Sequence, residues 1–371
     1  MIPVNTPLLD GNEQEYVLKA LKDGWISSEG PAVKEFEEKF AARVGRKHGI
    51  AVANGSVALD LAVVAAGIKE GDEVIMPSFT IISPATAVVR VGAKPILVDS
   101  DATTWNMDVT QIESKITAKT KAILVVHIYG LPVDMEPVMA LAKKYNLLVI
   151  EDAAEMHGQT YNGQPCGSFG DISTFSFYPN KHVTTGEGGM VVCNNDELAG
   201  RCKHLRNLAF IPERRFVHHE LGWNYRFTNL QAAIGLAQLE RLDYFIEKKR
   251  AMGKLYRELF TGLEDKIELQ AVSTSYAENI YWVFGMVLKE NVPFNAIEAM
   301  KRLAAEGIGC RPFFYPMHQQ PVFNKMGWYN NEKHPVAERM AERGFYVPSG
   351  LALTETEMRI VSDKLNKVLN G

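Results

Sequence analysis

The feature that most restricts this chain is an alternation. Across residues 13–198, short apolar runs rich in β-branched side chains trade places with segments of helical period. The runs HGIAVAN, DEVIMPS, KPILVDS, KAILVVHIYG, NLLVIED, ISTFSFY and GMVVCN are each closed by polar or turn residues. Between them the spacing predicts helices over 57–67, 85–91 and 135–145. This succession is how βα units building a mostly parallel sheet appear in sequence. Runs that are apolar at nearly every position imply a sheet covered on both faces. Ligands of such sheets collect beyond the carboxyl ends of the strands, so functional residues are sought there.

Further along, apolar residues at helical spacing (Ile234, Leu236, Leu239, Leu242, Phe245, Ile246) predict one long connecting helix over 229–260. A strand-like stretch over 281–288, a helix over 295–306, the Pro/aromatic segment RPFFYPMH and a final helix over 355–369 follow. The expected organisation is α/β, with a large domain over 1–245 and a smaller α+β domain over 246–371. No repeat or low-complexity linker separates the two.

Composition excludes several function classes. A hydrophobic share of 46% with 23% charged residues is that of a globular chain with a large core. The net charge of −4, with both signs interspersed, offers no footprint for nucleic acid or an anionic membrane. The first residues, MIPVNTPLLDGNEQEY, lack a basic-then-apolar signal pattern, and no apolar stretch approaches the roughly 20 residues that span a bilayer. A cytoplasmic place is expected. Cys166, Cys193, Cys202 and Cys310 are scattered, without zinc-ligand spacing, and are read as free thiols with no metal site.

Three features carry chemistry. In ISTFSFYPNKHVTTGEGGMVVCN, Lys181 sits just past a predicted strand and ahead of Gly186, Gly188 and Gly189, where the backbone can approach a bound group closely. The same lysine would suit a solvated hairpin loop. In NLLVIEDAAEMHG, four apolar residues lead straight into Glu151 and Asp152; carboxylates abutting a buried strand demand partners, or serve as a helix cap. In VANGSVALDLAVVAAG, Asn54, Gly55 and Ser56 close a strand and open an apolar helix, whose free amides form an anion site or whose serine simply caps it. Anion cradle, aspartate and lysine thus stand in chain order at the ends of three different strands.

These residues lie within a wider set: DGWISSEGPAVKEFEEKFA, NGSVAL, GDEVIMPSFT, HIYGLPVDM, VIEDAAE, S-F-Y-P-N-K with TTGEGGMV, and GWNYRFTNLQAAIGLAQLE. Together they resemble the sugar aminotransferases of the DegT/DnrJ/EryC/StrS group over essentially the whole chain. The resemblance implies the aspartate-aminotransferase-like fold (type I of the pyridoxal-phosphate enzymes) and pyridoxal 5′-phosphate as cofactor. It makes Lys181 the lysine that carries the cofactor and moves the proton, and pairs Asp152 with the pyridine nitrogen. Glu155 stands where many members use glutamine beside the phenolic oxygen. Gly55, Ser56, the amide of Val57 and Ser176 would hold the phosphate, and Asn224 would reach the phosphate of a neighbouring subunit, implying a homodimer with shared active sites. The substrates implied are L-glutamate and a nucleotide-linked 4-keto-6-deoxy sugar aminated at carbon 4, with a GDP-linked sugar ahead of UDP- or dTDP-linked ones and of attack at carbon 3. The non-enzymatic alternative is a cofactor-binding regulator.

The chain departs from the group's pattern at two cofactor-facing places. Ile81 stands where relatives carry an aromatic stacked on the cofactor, with Phe79 available to compensate. His182 adjoins the lysine, as a substrate contact or a structural histidine; a dehydratase subgroup has histidine in place of the lysine itself. Trp25, Ser27, Tyr315 and His318 fall in the WISSEG and RPFFYPMH pieces expected to face the sugar, and Arg206, Arg214 and Arg215 are candidates for the diphosphate.

Overall fold

The computed structural model describes residues 1–370. Seven strands form the large sheet: β1 (His48–Val52), β2 (Glu73–Pro77), β3 (Lys94–Val98), β4 (Thr120–Val126), β5 (Leu148–Asp152), β8 (Ile172–Ser176) and β9 (Gly189–Cys193). A small hairpin, β6 (Thr160–Tyr161) and β7 (Gln164–Pro165), lies between β5 and β8. The spatial order is β1-β9-β8-β5-β4-β2-β3, and β9 alone runs against its neighbours. All seven strands expected from the apolar runs are present.

Strand alternation explains why those runs are apolar at every position. Ile50, Val52, Val74, Met76, Leu124, Val126 and Ile150 face one core, with the helices Gly55–Ala65, Ser83–Arg90 and Asp196–Arg206. Ala51, Ile75, Ile123, Val125 and Val149 face the other, with Pro31–Arg43, Met135–Tyr145 and Asn229–Glu240. Both sheet faces are therefore dry, and each fully buried aliphatic side chain contributes about 1.5–3 kcal/mol.

A second sheet, in the order β10-β11-β13-β12, follows: β10 (Ile267–Leu269), β11 (Phe284–Leu288), β12 (Arg311–Pro312) and β13 (Gly344–Val347). With the helices Leu242–Leu259, Ala296–Ala305 and Glu355–Asn370 it encloses a third core. The N-terminus runs along this unit: Ile2 bridges Ile308, and the amides of Ser349 and Ala352 donate to the carbonyls of Val4 and Thr6. We propose that the unit divides from the larger one near residue 245.

The single helix expected over 229–260 is two. Arg241 leaves helical geometry (φ −109°, ψ 6°) between Asn229–Glu240 and Leu242–Leu259. Its guanidinium pairs with Asp10 and lies over the rings of Tyr244 and Phe245, contacts that apolar periodicity does not report. Among the described residues no helix is long and apolar enough to cross a membrane.

Candidate active site

A cavity of about 680 Å³ opens at the carboxyl ends of β1, β4, β5 and β8 and is walled on its far side by Trp282, Phe314 and Tyr346 of the second unit. It gathers eight of the nine residues assigned to the cofactor: Gly55, Ser56, Val57, Ile81, Asp152, Glu155, Ser176 and Lys181. Asn224 is exposed elsewhere, bridged to Asn207, and does not line the cavity of its own chain.

The cradle is built by close approach. Helix Gly55–Ala65 begins against the end of β8, where a Cβ on Gly55 would lie 2.7 Å from the Cβ of Ser176, so only glycine fits. Asn54 caps the helix, its side chain accepting from the amide of Val57 at 3.0 Å. The amide of Val57, expected at the phosphate, thus has the Asn54 side chain as a partner here. The earlier amides, Gly55 and Ser56, have no intrahelical acceptor by position and point out of the helix start. Ser56 Oγ and Ser83 Oγ are 2.8 Å apart beside them. Thr80 Oγ1, buried in the cavity wall, has no hydrogen-bond partner among the described residues.

Asp152 ends β5 at the cavity floor. Its side chain is almost wholly buried and accepts from the amide of Ala154 at 3.1 Å. Burial raises its pKa, against the opposing pull of that amide, Lys181 and His127. Glu151, one residue earlier, points to the opposite face of the sheet. There it accepts from His127 Nε2 (3.1 Å), Ser173 Oγ (3.1 Å) and the amides of Gly167, Phe169 (3.0 Å) and Gly170 (3.1 Å). The two adjacent carboxylates thus have separate employment, one in the cavity and one in the framework.

Lys181 Nζ stands 3.9 Å from Glu155 Oε1 and 3.9 Å from the centre of the Trp282 ring. Burial lowers the lysine's pKa, with Glu155 and Asp152 opposing. Glu155, whose Oε2 accepts from the amide of Tyr129 at 2.7 Å, is pushed up to about 8 by burial, against the attraction of Lys181. Burial therefore favours the neutral form of each.

The remaining assignments fare differently. His182 does not line the cavity; it is buried beside Lys181 in sequence, and burial holds it well below the usual histidine range, against the opposing pull of the Ile280 backbone. His318 is a strut rather than a wall residue: Nδ1 meets Ser78 Oγ at 2.8 Å and Nε2 meets Glu338 Oε1 at 3.0 Å. Tyr315 turns outward, 52% exposed, and its neighbour Phe314 enters the cavity instead. Trp25 and Ser27 line a different groove, with Phe210 and Arg215. Phe79 is buried against Tyr129, Phe313 and Phe314, so it covers no ligand and does not replace the missing aromatic at Ile81. Arg206 is held by Glu37 and the carbonyl of Ala51. Sequence reasoning missed Trp282, Phe314, Tyr346, Tyr178 and Ser83; the first belonged to a segment read only as a strand, and the second stood one residue from one that was chosen.

His157 packs beneath the site against Phe40, Phe175 and Phe177, its Nδ1 accepting from the amide of Val183. Burial, with Lys181 adding, depresses its pKa to about 3. The folded chain therefore holds fewer protons than the unfolded one between the ordinary histidine value and that point. Stability is fully present above about pH 6.5 and falls as the pH drops through this window, by about 1.4 kcal/mol per unit for this histidine. Thermal unfolding followed from pH 7 to 4.5 should show a steadily falling midpoint; a flat profile would contradict the assignment.

Comparison with known proteins agrees with this geometry. The profile of the DegT/DnrJ/EryC1/StrS aminotransferase family matches residues 7–366. GDP-perosamine synthase of Escherichia coli O157:H7 is 44% identical over 366 residues, covering 99% of this chain and 98% of that protein. GDP-perosamine synthase of Caulobacter vibrioides is 43% identical over 368 residues, covering 99% and 98%. The X-ray structure of the aminotransferase from Psychrobacter cryohalolentis superposes with a TM-score of 0.90 at 29% identity, covering 99% of each chain. With its cavity, its lysine and its carboxylates placed at the strand ends, the chain belongs to the DegT/DnrJ/EryC1/StrS aminotransferase family.

Proposed function

We propose that the protein transfers an amino group from L-glutamate to carbon 4 of GDP-4-keto-6-deoxymannose, yielding GDP-perosamine. The observation that carries this reading is full-length identity of 44% and 43% to two GDP-perosamine synthases, joined to a cavity that holds a buried lysine and aspartate. Pyridoxal 5′-phosphate is the cofactor, and the residues present fit it. The glycine-floored start of helix Gly55–Ala65, with the hydroxyls of Ser56, Ser176 and unpartnered Thr80, suits a phosphate. Asp152, buried at the cavity floor where desolvation disfavours its charge, suits a cationic ring nitrogen, whose charge would offset that cost.

Bound there, the cofactor supplies an electron sink for the carbanion formed when the donor's alpha carbon loses its proton. The protein does the rest. Lys181 Nζ, its pKa lowered by burial so that the neutral amine is easier to reach, takes that proton and returns it to another carbon. Asp152 holds the ring nitrogen protonated through charge and hydrogen bonding. Glu155, with its pKa near 8, keeps a proton at neutral pH, so its O–H donates where a glutamine would offer N–H. Trp282, Phe314 and Tyr346 wall the cavity with aromatic surface opposite the strand ends.

We further propose that two copies pair across the exposed apolar side chains Trp25, Phe216 and Leu221, bringing Asn224 of each to the other's cavity. The nucleotide-linked substrate favours a cytoplasmic setting. The deciding experiment incubates purified enzyme with glutamate and GDP-, UDP- and dTDP-linked 4-keto-6-deoxy sugars, following the aminated product by mass spectrometry. Preference for the GDP sugar by at least tenfold in kcat/KM is expected; preference for another nucleotide would remove the substrate assignment, and an active monomer in sedimentation would remove the shared site.

A further inference from the structure

Trp282 is fixed at every point of contact. Its indole N–H donates to the carbonyl of Asn180 at 2.9 Å, the residue immediately before Lys181. Its own carbonyl accepts from Lys249 Nζ at 2.9 Å, and the same amino group, its pKa lowered by burial to about 7, also reaches the carbonyl of Ser349. Lys249 is only 3% exposed, and burying an amino group is costly unless the two peptides it holds need their placement. The residue before, Tyr281, has φ +49°, a left-handed conformation that is strained for a bulky side chain. Asn279 Oδ1 accepts from its amide at 2.7 Å and holds it there. A strained peptide, a buried lysine and an indole hydrogen bond all fix one ring, and the face of that ring lies 3.9 Å from Lys181 Nζ.

We propose that Trp282 is a positioning residue for Lys181, its indole face being the resting place of the ε-ammonium whenever the lysine is free of the cofactor. The proposal rests on the reading of Lys181 given above. An aromatic face attracts a cation and is indifferent to a neutral amine. It therefore stabilises Nζ selectively after the lysine has taken up a proton, and it aims the ammonium while the proton waits to be returned. The other groups near Nζ do not fix direction in this way: Asp152 and Glu155 act from the β5 side, where burial raises the pKa of each and weakens its hold on a cation, while His157 and His182 are buried with their pKa values pushed down.

The test uses cofactor-free protein. Acetylation of Lys181 by acetic anhydride, measured across pH by peptide mass spectrometry, reports the pKa of Nζ in the wild type, Trp282→Phe and Trp282→Leu. Loss of the ring should lower that pKa by about half a unit to one unit in Trp282→Leu, with Trp282→Phe in between. A ring that only excludes water predicts the opposite sign, since removing it lets solvent reach the ammonium. An unchanged or raised pKa in either folded variant overturns the proposal, and Trp282→Phe alone decides if the leucine variant does not fold. Protection of Lys181 by added pyridoxal phosphate is read separately: its absence would sink the cofactor assignment and leave the ring's effect to be judged by the shift.

Discussion

Lys181→Ala is expected to lower kcat by at least about 10³-fold. A positioned general base contributes about 10²–10⁴-fold, and the loss of the covalent attachment adds to it. The variant should still bind the cofactor, because the cradle at Gly55, Ser56 and Ser176 is untouched. Borohydride treatment of the wild type should fix the cofactor to the peptide containing Lys181, while the variant should release it on denaturation. The fold should survive, since the substitution removes an amine whose burial already disfavours its charge and leaves Glu155 free to hold its proton. External methylamine should restore part of the rate by supplying a diffusible base. Turnover in the variant within tenfold of the wild type would remove Lys181 from the chemistry.

How much of this was visible in the sequence depends on how local each signal is. The strands of the large sheet were legible because each is an apolar run whose two faces are both buried, as Leu124 and Val125 illustrate by entering different cores. The place of Asp152 was legible for the same reason, since it is the polar residue that closes such a run, whereas Lys181 stands in the loop five residues beyond the end of β8 and was legible only from its motif. The second unit was harder. Its strand β12 has two residues, Arg311 and Pro312, too short for any period to register.

The far wall of the cavity escaped because it is made by distant chain. Trp282 meets Lys181 across 101 positions of sequence, and nothing in NIYWVFG says which aromatic turns inward. In RPFFYPMH the three aromatics take three directions: Phe313 into the core, Phe314 into the cavity and Tyr315 to solvent. A motif locates such a segment without fixing its rotation. His318 shows the same limit from the other side, since its bonds to Ser78 and Glu338 depend on elements 240 and 20 residues away. Capping chemistry was legible only as a choice: the sequence NGS allows either an anion site or a cap, and Asn54 caps one amide, that of Val57, while leaving the two before it.

The neighbouring carboxylates give the sharpest division between chemistry and framework. Asp152→Asn should leave the fold and cofactor binding near wild type yet lower kcat by about 10³-fold, roughly 4 kcal/mol, because a neutral amide cannot hold the ring nitrogen protonated. Glu151→Gln should do the reverse. It leaves five donors facing a neutral amide, costing several kcal/mol of stability, while the residual folded enzyme keeps most of its activity. Stopped-flow measurement of the glutamate half-reaction, beside denaturant unfolding of both variants, separates the two outcomes. The contrast follows from strand geometry alone, since consecutive side chains of β5 face opposite sides of the sheet and the register of β5 against β4 and β8 sets which one meets the cavity. A half-reaction in Asp152→Asn within tenfold of the wild type would show that the ring nitrogen is protonated by something other than this carboxylate.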